Sequence, residues 1–217
     1  MSPEPSDSLP SITPPRQSRS RATMERVLAA VEDLLADKPF DQITVAEIAS
    51  RSSSSPTSIY ARFADKNGLL LAAHERYKHK AEARLAEQLA SEDTASLPPD
   101  RLLDFFAREL VTAFRDNQHL LRSVVLADAA VMYERAADLI ASVSLAVADR
   151  LRPAMTVDDA VGERCVDFAI RAAVAVLQQH IIFQDRIPGR FQTTDDELAE
   201  RLTDLLVAMT APVLRHP

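Results

Sequence analysis

The chain has 217 residues, 47 % apolar and 26 % charged, with a formal net charge of −7; these are globular proportions, and they exclude collagenous or wholly disordered chains. Its single cysteine, Cys165, excludes an intramolecular disulfide or a cysteine-based zinc cluster and fits a reducing, cytoplasmic location. Only three glycines (Gly68, Gly162, Gly189) leave little material for hairpins or phosphate-cradling loops, so an all-α fold is expected, without cofactor or metal.

Residues 1–15, "MSPEPSDSLPSITPP", hold five prolines and four serines with scarcely any apolar content. Such a stretch cannot bury enough surface to offset ordering entropy, so residues 1–19 read as a disordered tail. Its end carries Arg16 and Arg19, followed by Arg21. These are basic approach residues that could lie along a phosphate backbone or enter a minor groove, or remain simply solvated. From Ser20, Val27, Leu28, Val31, Leu34 and Leu35 follow one buried helical face, and Pro39 stops the helix near Asp37.

"TVAEIAS" at 44–50 opens with a T-x-x-E capping box, Thr44 and Glu47, and predicts a second, two-turn helix. Ser55 before Pro56 is a strong helix-start signal, so "SPTSIYARF" begins a third helix with Ile59 and Phe63 facing inward. Only Ser52, Ser53 and Ser54 remain between them, the length of a helix-turn-helix turn. Asp65 caps a fourth helix with Lys66 at its first position, and Leu70, Ala73, Tyr77, Ala81 and Leu85 carry its apolar stripe until "SEDTASLPPD" interrupts it.

Beyond Pro99 the pattern stays helical. Leu102, Phe106, Leu110 and Phe114 mark a fifth helix, Leu121, Val124 and Val125 a sixth, and Leu139, Ile140, Val143 and Val147 a seventh. The last two run over about 157–185 and 194–214, separated by the Pro188–Gly189 break, for about nine helices in all. The longest aliphatic run, "AAVAVL" at 172–177, is too short to span a bilayer, and no membrane partner is expected.

Charge is unevenly spread. Residues 16–80 hold 11 Lys and Arg against 8 Asp and Glu, whereas 81–217 hold 14 against 22. A mildly basic N-terminal third on an acidic remainder implies one anion-binding region attached to a part with another task. Three short helices with a tight turn between the second and third set one helix into the DNA major groove. Thr57, Ser58, Ala61 and Arg62 lie away from Ile59 and Phe63 and suit base edges and phosphate oxygens. Tyr60 can reach a phosphate, though it could instead seal the three-helix core. Lys66 in a helix's first turn opposes the dipole, which a phosphate at that helix start would explain; otherwise it is a solvated charge.

"TVAEIASRSSSSPTSIYARFADKNGLLLAAHE" resembles the DNA-binding domain of the TetR family of transcriptional regulators over roughly residues 20–75. The resemblance implies a helix-turn-helix domain at 20–65 and a larger helical regulatory and dimerisation domain at 66–217, whose first helix joins the two. It implies that Thr44, Ser55, Thr57, Ser58, Tyr60, Arg62 and Lys66 face double-stranded DNA, with Tyr60 and Lys66 on phosphates. Two departures stand out. Ser53 and Ser54 occupy places where the family usually has glycine and a small aliphatic residue, so Ser53 is expected in a left-handed conformation and Ser54 needs a backbone partner for its hydroxyl. Arg62 stands where histidine or tyrosine is usual.

In the second half, Phe105, Phe106, Phe114, Met132, Tyr133, Cys165 and Phe168 could line an apolar cavity for a small-molecule effector, core packing being the competing reading for each. Gln178, His180, Arg122 or Asp167 could orient that ligand. The 157–185 helix carries two apolar lines, one through Val161, Cys165 and Phe168 and another through Ile170, Val174, Leu177 and Ile181. Two lines suggest one side on the chain's own domain and the other on a second subunit. The second line, with Leu202, Leu206 and Met209 of the final helix, is assigned to a homodimer interface. The function expected is a ligand-responsive, sequence-specific regulator, a repressor and not an enzyme. A helical protein-interaction module with a basic N-terminal face, or a cofactor-free helical enzyme, are the alternatives.

Overall fold

The computed structural model describes residues 14–127 and 130–215. Ten α-helices follow one another among them: α1 Pro14–Asp37, α2 Val45–Arg51, α3 Pro56–Tyr60, α4 Lys66–Ala90, α5 Glu92–Ala95, α6 Pro99–Asp116, α7 Gln118–Leu126, α8 Ala130–Leu151, α9 Asp159–Leu177 and α10 Asp195–Thr210. A 3-10 turn, Phe40–Gln42, precedes α2, and α9 runs on through a π-turn, Gln178–Ile182. No strand occurs among the described residues.

The helices enclose two hydrophobic cores. The first gathers Val27, Val31 and Leu35 of α1, Ile48 of α2, Ile59 of α3, and Leu69, Leu70 and Ala73 of α4. Leu120 and Val124 of α7 and Met132 of α8 close it from the far side. The second is built from α6, α8, α9 and α10 around Phe106, Leu151, Ile170, Leu177 and Leu206, with Leu85 and Leu89 of α4 packed against it. Helix α4 therefore begins in one core and ends on the other. Asp159–Ile182 is long and apolar enough to cross a membrane by length and composition. In this fold Val166, Ala169, Ile170, Ala173 and Leu177 of that stretch are instead buried in the second core.

The structure departs from the sequence reading in several places. Helix α1 starts at Pro14, so the stretch carrying Arg16 and Arg19 has a helical backbone rather than an irregular one. The Pro14–Pro15 pair explains the early start, since proline suits the first helical turn, where its missing N–H would have had no partner. Residues 1–13 of the expected tail lie outside the described residues. The "SEDTASLPPD" interruption forms a helical turn of its own, α5, with Ser91 as cap. Arg150 of α8 donates to the carbonyls of Thr94 and Ala95 and ties that turn down.

The serine turn closes as a Schellman motif. Ser54 N–H donates to the Ala49 carbonyl at 2.9 Å and Ser53 N–H to the Ser50 carbonyl at 3.3 Å, satisfying two carbonyls that the end of α2 leaves open. This geometry requires a left-handed residue between them, and Ser53 takes it at φ 50°. The half-buried Ser54 donates its hydroxyl to the Ser52 carbonyl at 3.4 Å, and the buried Ser52 donates to the Ala49 carbonyl. A left-handed non-glycine residue costs on the order of 1–2 kcal/mol. Ser53→Gly is expected to raise folding stability by about 1 kcal/mol once glycine's larger unfolded-state entropy is deducted, measurable as a higher urea midpoint with an unchanged slope.

Candidate nucleic-acid interface and effector cavity

The entry to α2 is locked by charge as well as by its cap. The Glu47 carboxylate accepts from Thr44 N–H at 2.8 Å and from Lys38 Nζ at 2.6 Å, while Thr44 Oγ1 accepts from Glu47 N–H at 3.2 Å. The hydrogen bond from Lys38, followed by those from Thr44, pulls the Glu47 carboxyl down to about 2. Thr44 also donates its hydroxyl back to Glu47 at 2.9 Å. It is exposed as the sequence implies, but both hydrogen-bonding roles of its hydroxyl are taken up within the cap.

Helix α3 is anchored on one side and open on the other. Ser55 Oγ accepts from Ser58 N–H at 3.1 Å, Pro56 takes the first helical position, and Ile59 and Phe63 are buried. The opposite surface presents Thr57, Tyr60 at 55 % exposure, Ala61 and Arg62 to solvent, with Ser58 half-buried. Arg62 folds back along α3, donating to the Ser58 carbonyl at 2.8 Å and to its Oγ at 2.9 Å. Its guanidinium is thereby held beside the helix's polar face.

Lys66 is not a loose surface charge. Its ammonium donates to the Asp41 carbonyl at 3.1 Å and sits 4.6 Å from the centre of the Phe40 ring. Partial burial lowers its pKa, against an opposing contribution from the Asp41 carboxylate. These contacts hold the cation at the start of α4, where Asp65 Oδ1 already accepts from Gly68 N–H at 2.8 Å. Arg21 is exposed on α1; the side chains of Arg16 and Arg19 lie outside the described residues.

A cavity of about 150 Å³ lies between α4, α6, α7, α8 and α9. Phe106, Leu110, Phe114, Leu139, Val143 and Ile170 contribute to its apolar wall. His74, Tyr77, Arg84, Gln88, Glu109 and Gln178 supply its polar groups. Burial pushes the Tyr77 hydroxyl up to about 12. Glu109 accepts from Arg84 at 2.7 Å and from Gln88 at 2.5 Å, so the charges at the wall neutralise one another.

Of the residues expected to line an effector site, Phe106 and Phe114 reach this cavity. The others do not. Phe105 is half-buried outside the lining, and Met132 is buried in the first core because α8 begins against the helix-turn-helix domain. Tyr133 and Phe168 are exposed at 54 % and 66 %. Cys165 packs against the second core with its thiol on the Met209 carbonyl at 3.1 Å. Gln178 does line the cavity, whereas Arg122 forms a bidentate ion pair with Asp185, Asp167 pairs with Arg171, and the His180 ring is held at the Val176 carbonyl.

The two apolar lines of α9 also exchange places. Ile170, Val174, Leu177 and Ile181, with Leu202 and Leu206 of α10, are buried in the chain's own core, so they present no surface to a partner. Met209 is half-buried. On the other line Val161 and Phe168 are exposed instead, while Cys165 and Val176 pack half-buried against the second core. Periodicity identifies two faces but not which one the chain's other helices cover. His74 escaped the sequence reading because it stands one residue beyond Ala73 in the stripe, and nothing local distinguishes a buried histidine from an exposed one.

Residues 27–73 match the sequence model of the bacterial regulatory proteins of the tetR family. Over these residues the chain is similar to that family. The match takes in the whole serine turn, α3 and the start of α4, where the sequence resemblance was read. No curated protein matches the chain. Among solved structures, a transcriptional regulator from Rhodococcus sp. RHA1 is similar at 18 % identity and TM-score 0.70, over 89 % of this chain and 99 % of that one. A tetR-family regulator from Streptomyces coelicolor is similar at 15 % identity and TM-score 0.68, over 88 % and 82 %. The regulator FadR from Bacillus subtilis, in complex with stearoyl-CoA, is similar at 12 % identity and TM-score 0.61, over 85 % and 97 %. Over most of its length the chain thus shares the fold of these solved regulators.

Because the Glu47 pKa is depressed in the folded state, its contribution to stability is complete above the ordinary carboxylate range and is lost as pH falls from about 4.5 toward about 2. Glu47→Gln is expected to flatten the acid limb of the stability curve over that interval, measured by urea unfolding at successive pH values. An unchanged limb would mean that the Lys38 and Thr44 bonds to Glu47 do not stabilise the folded chain.

Proposed function

We propose that this chain is a ligand-responsive, sequence-specific DNA-binding regulator. It acts in the cytoplasm as a homodimer and as a repressor that an apolar or amphipathic effector releases. The observation that carries the reading is the outward surface of α3. Thr57, Tyr60 and Arg62 stand clear of the fold on a short helix whose other side is pinned by Ile59 and Phe63. Arg62 and the hydroxyls suit base edges, Tyr60 and Lys66 suit phosphates, and Arg21, exposed on α1, adds a further cation. The tetR family comprises DNA-binding regulators rather than enzymes, which supports the same reading over a catalytic one.

Two copies have to be joined for two α3 helices to meet successive major grooves roughly 34 Å apart. The exposed line of α9 supports that joining. Val161 and Phe168 are exposed two helical turns apart, Phe168 at 66 % beside the Asp167–Arg171 pair. Aromatic residues are enriched where protein surfaces associate, and Phe168 projects from a helix whose other side is already packed. Release by an effector then needs only that the ligand prefer one setting of α4, and a coupling of about 1–3 kcal/mol changes operator affinity about five- to 150-fold.

Selection of duplexes from a random pool by the full-length protein is expected to enrich one palindromic sequence. Lys66→Ala is expected to weaken binding across sequences and to reduce the salt slope by about one, and Arg62→Ala to relax discrimination at one position by about 1–3 kcal/mol. Enrichment of no duplex, with salt-sensitive binding to an acidic protein, would favour an interaction module instead. Phe168→Glu is expected to yield a folded monomer by sedimentation, whereas Leu177→Ala is expected to cost about 2–5 kcal/mol of folding stability. A dimer that survives Phe168→Glu would exclude the outward line of α9.

A further inference from the structure

The cavity beside α4 holds a polar group that the fold leaves unserved. His74 is 1 % exposed, and its Nδ1 has no hydrogen-bond partner. His74 is among the residues that line the cavity, and its ring lies 6.2 Å from the Tyr77 ring, centre to centre. A buried nitrogen without a partner is costly, and native structures retain few of them. Burial also lowers the His74 pKa, which favours the neutral imidazole with one donor and one acceptor nitrogen.

We propose that the cavity takes a compact, uncharged ligand of about benzene's size bearing one hydroxyl, with His74 as its hydrogen-bonding anchor. This rests on the cavity being the effector site. Three observations set the ligand's chemistry. The volume, about 150 Å³, equals that of an engineered apolar cavity known to admit benzene, which sets the size of the apolar body. A hydroxyl both donates and accepts, so it serves whichever nitrogen of a neutral imidazole meets it. A carboxylate can only accept, and it would enter a site where Arg84 is already taken by Glu109 and a second negative charge would face that same Glu109.

The anchor also has a bearing on regulation. His74 follows Ala73, which is buried in the helix-turn-helix core with Leu69 and Leu70 one turn earlier. Val124 of α7 belongs both to that core and to the cavity wall. A ligand held on His74 therefore acts on the two elements against which the DNA-facing helices are packed.

Calorimetric titration of the full-length protein with p-cresol, toluene, 4-methylbenzoate and decan-1-ol tests the assignment. In the wild type, p-cresol is expected to bind about fivefold or more tighter than toluene, and 4-methylbenzoate and decan-1-ol more weakly than either. His74→Phe keeps an aromatic ring in place, and it is expected to remove the difference between p-cresol and toluene while toluene still binds. Equal wild-type affinities for p-cresol and toluene, or a preference for the benzoate or the long-chain alcohol, would overturn the inference. Retained discrimination in a folded His74→Phe protein would do the same. If no probe binds while the protein still selects a duplex, the cavity is not the effector site and the inference fails, leaving the DNA-binding reading intact. Should His74→Phe not fold, the wild-type series decides alone.

Discussion

A helix is stiff over a few turns, and α4 places its first turns in one hydrophobic core and its last turns on another. Leu69, Leu70 and Ala73 cannot shift without disturbing Ile48, Ile59 and Val31, and Leu85 cannot shift without disturbing the packing of the second core. Close-packed interiors resist gradual deformation, so such a shared element moves between discrete settings or not at all. Helix α7 reinforces the coupling: Leu120 and Val124 close the first core, while Ser123 accepts from Phe40 N–H at 3.4 Å beside the entry to α2. The arrangement of α3 relative to the second core depends on these two helices.

The turn that presents α3 is stabilised in a way that local chemistry explains. Each helix start in this region has its own acceptor, Thr44 for α2, Ser55 for α3 and Asp65 for α4, so all three starts are capped by a neighbouring side chain. Between α2 and α3 the Schellman hydrogen bonds and the left-handed Ser53 turn the chain within a few residues. The serines are small enough to turn and polar enough to bond the backbone they expose. Rigidity at this point keeps Thr57, Tyr60 and Arg62 on a common surface.

Charge at the surface is largely paired off, and what remains is informative by position. Lys80 and Arg76 of α4 bridge to Glu32 of α1 and clasp the first core, while Arg122 and Asp185 tie α7 to the loop after α9. Exposed pairs of this kind contribute little each. Around α3 the exposed side chains are Thr57, Tyr60 and Arg62, with the Arg62 guanidinium held to Ser58, in a chain whose net charge is −7.

The sequence by itself determined the all-α class, the Thr44–Glu47 capping box, the Ser55–Pro56 start of α3, the strained Ser53 and the likeness of residues 27–73 to the tetR family. All of these rest on interactions within a few residues, where residue type and spacing are enough. Tertiary structure decided which α9 line is buried, that Met132 serves the first core, that α7 docks on the helix-turn-helix domain, and that His74 meets a cavity. An amphipathic pattern states how many faces a helix has. Which neighbour covers each face depends on helices distant in sequence, and so does the space left between them.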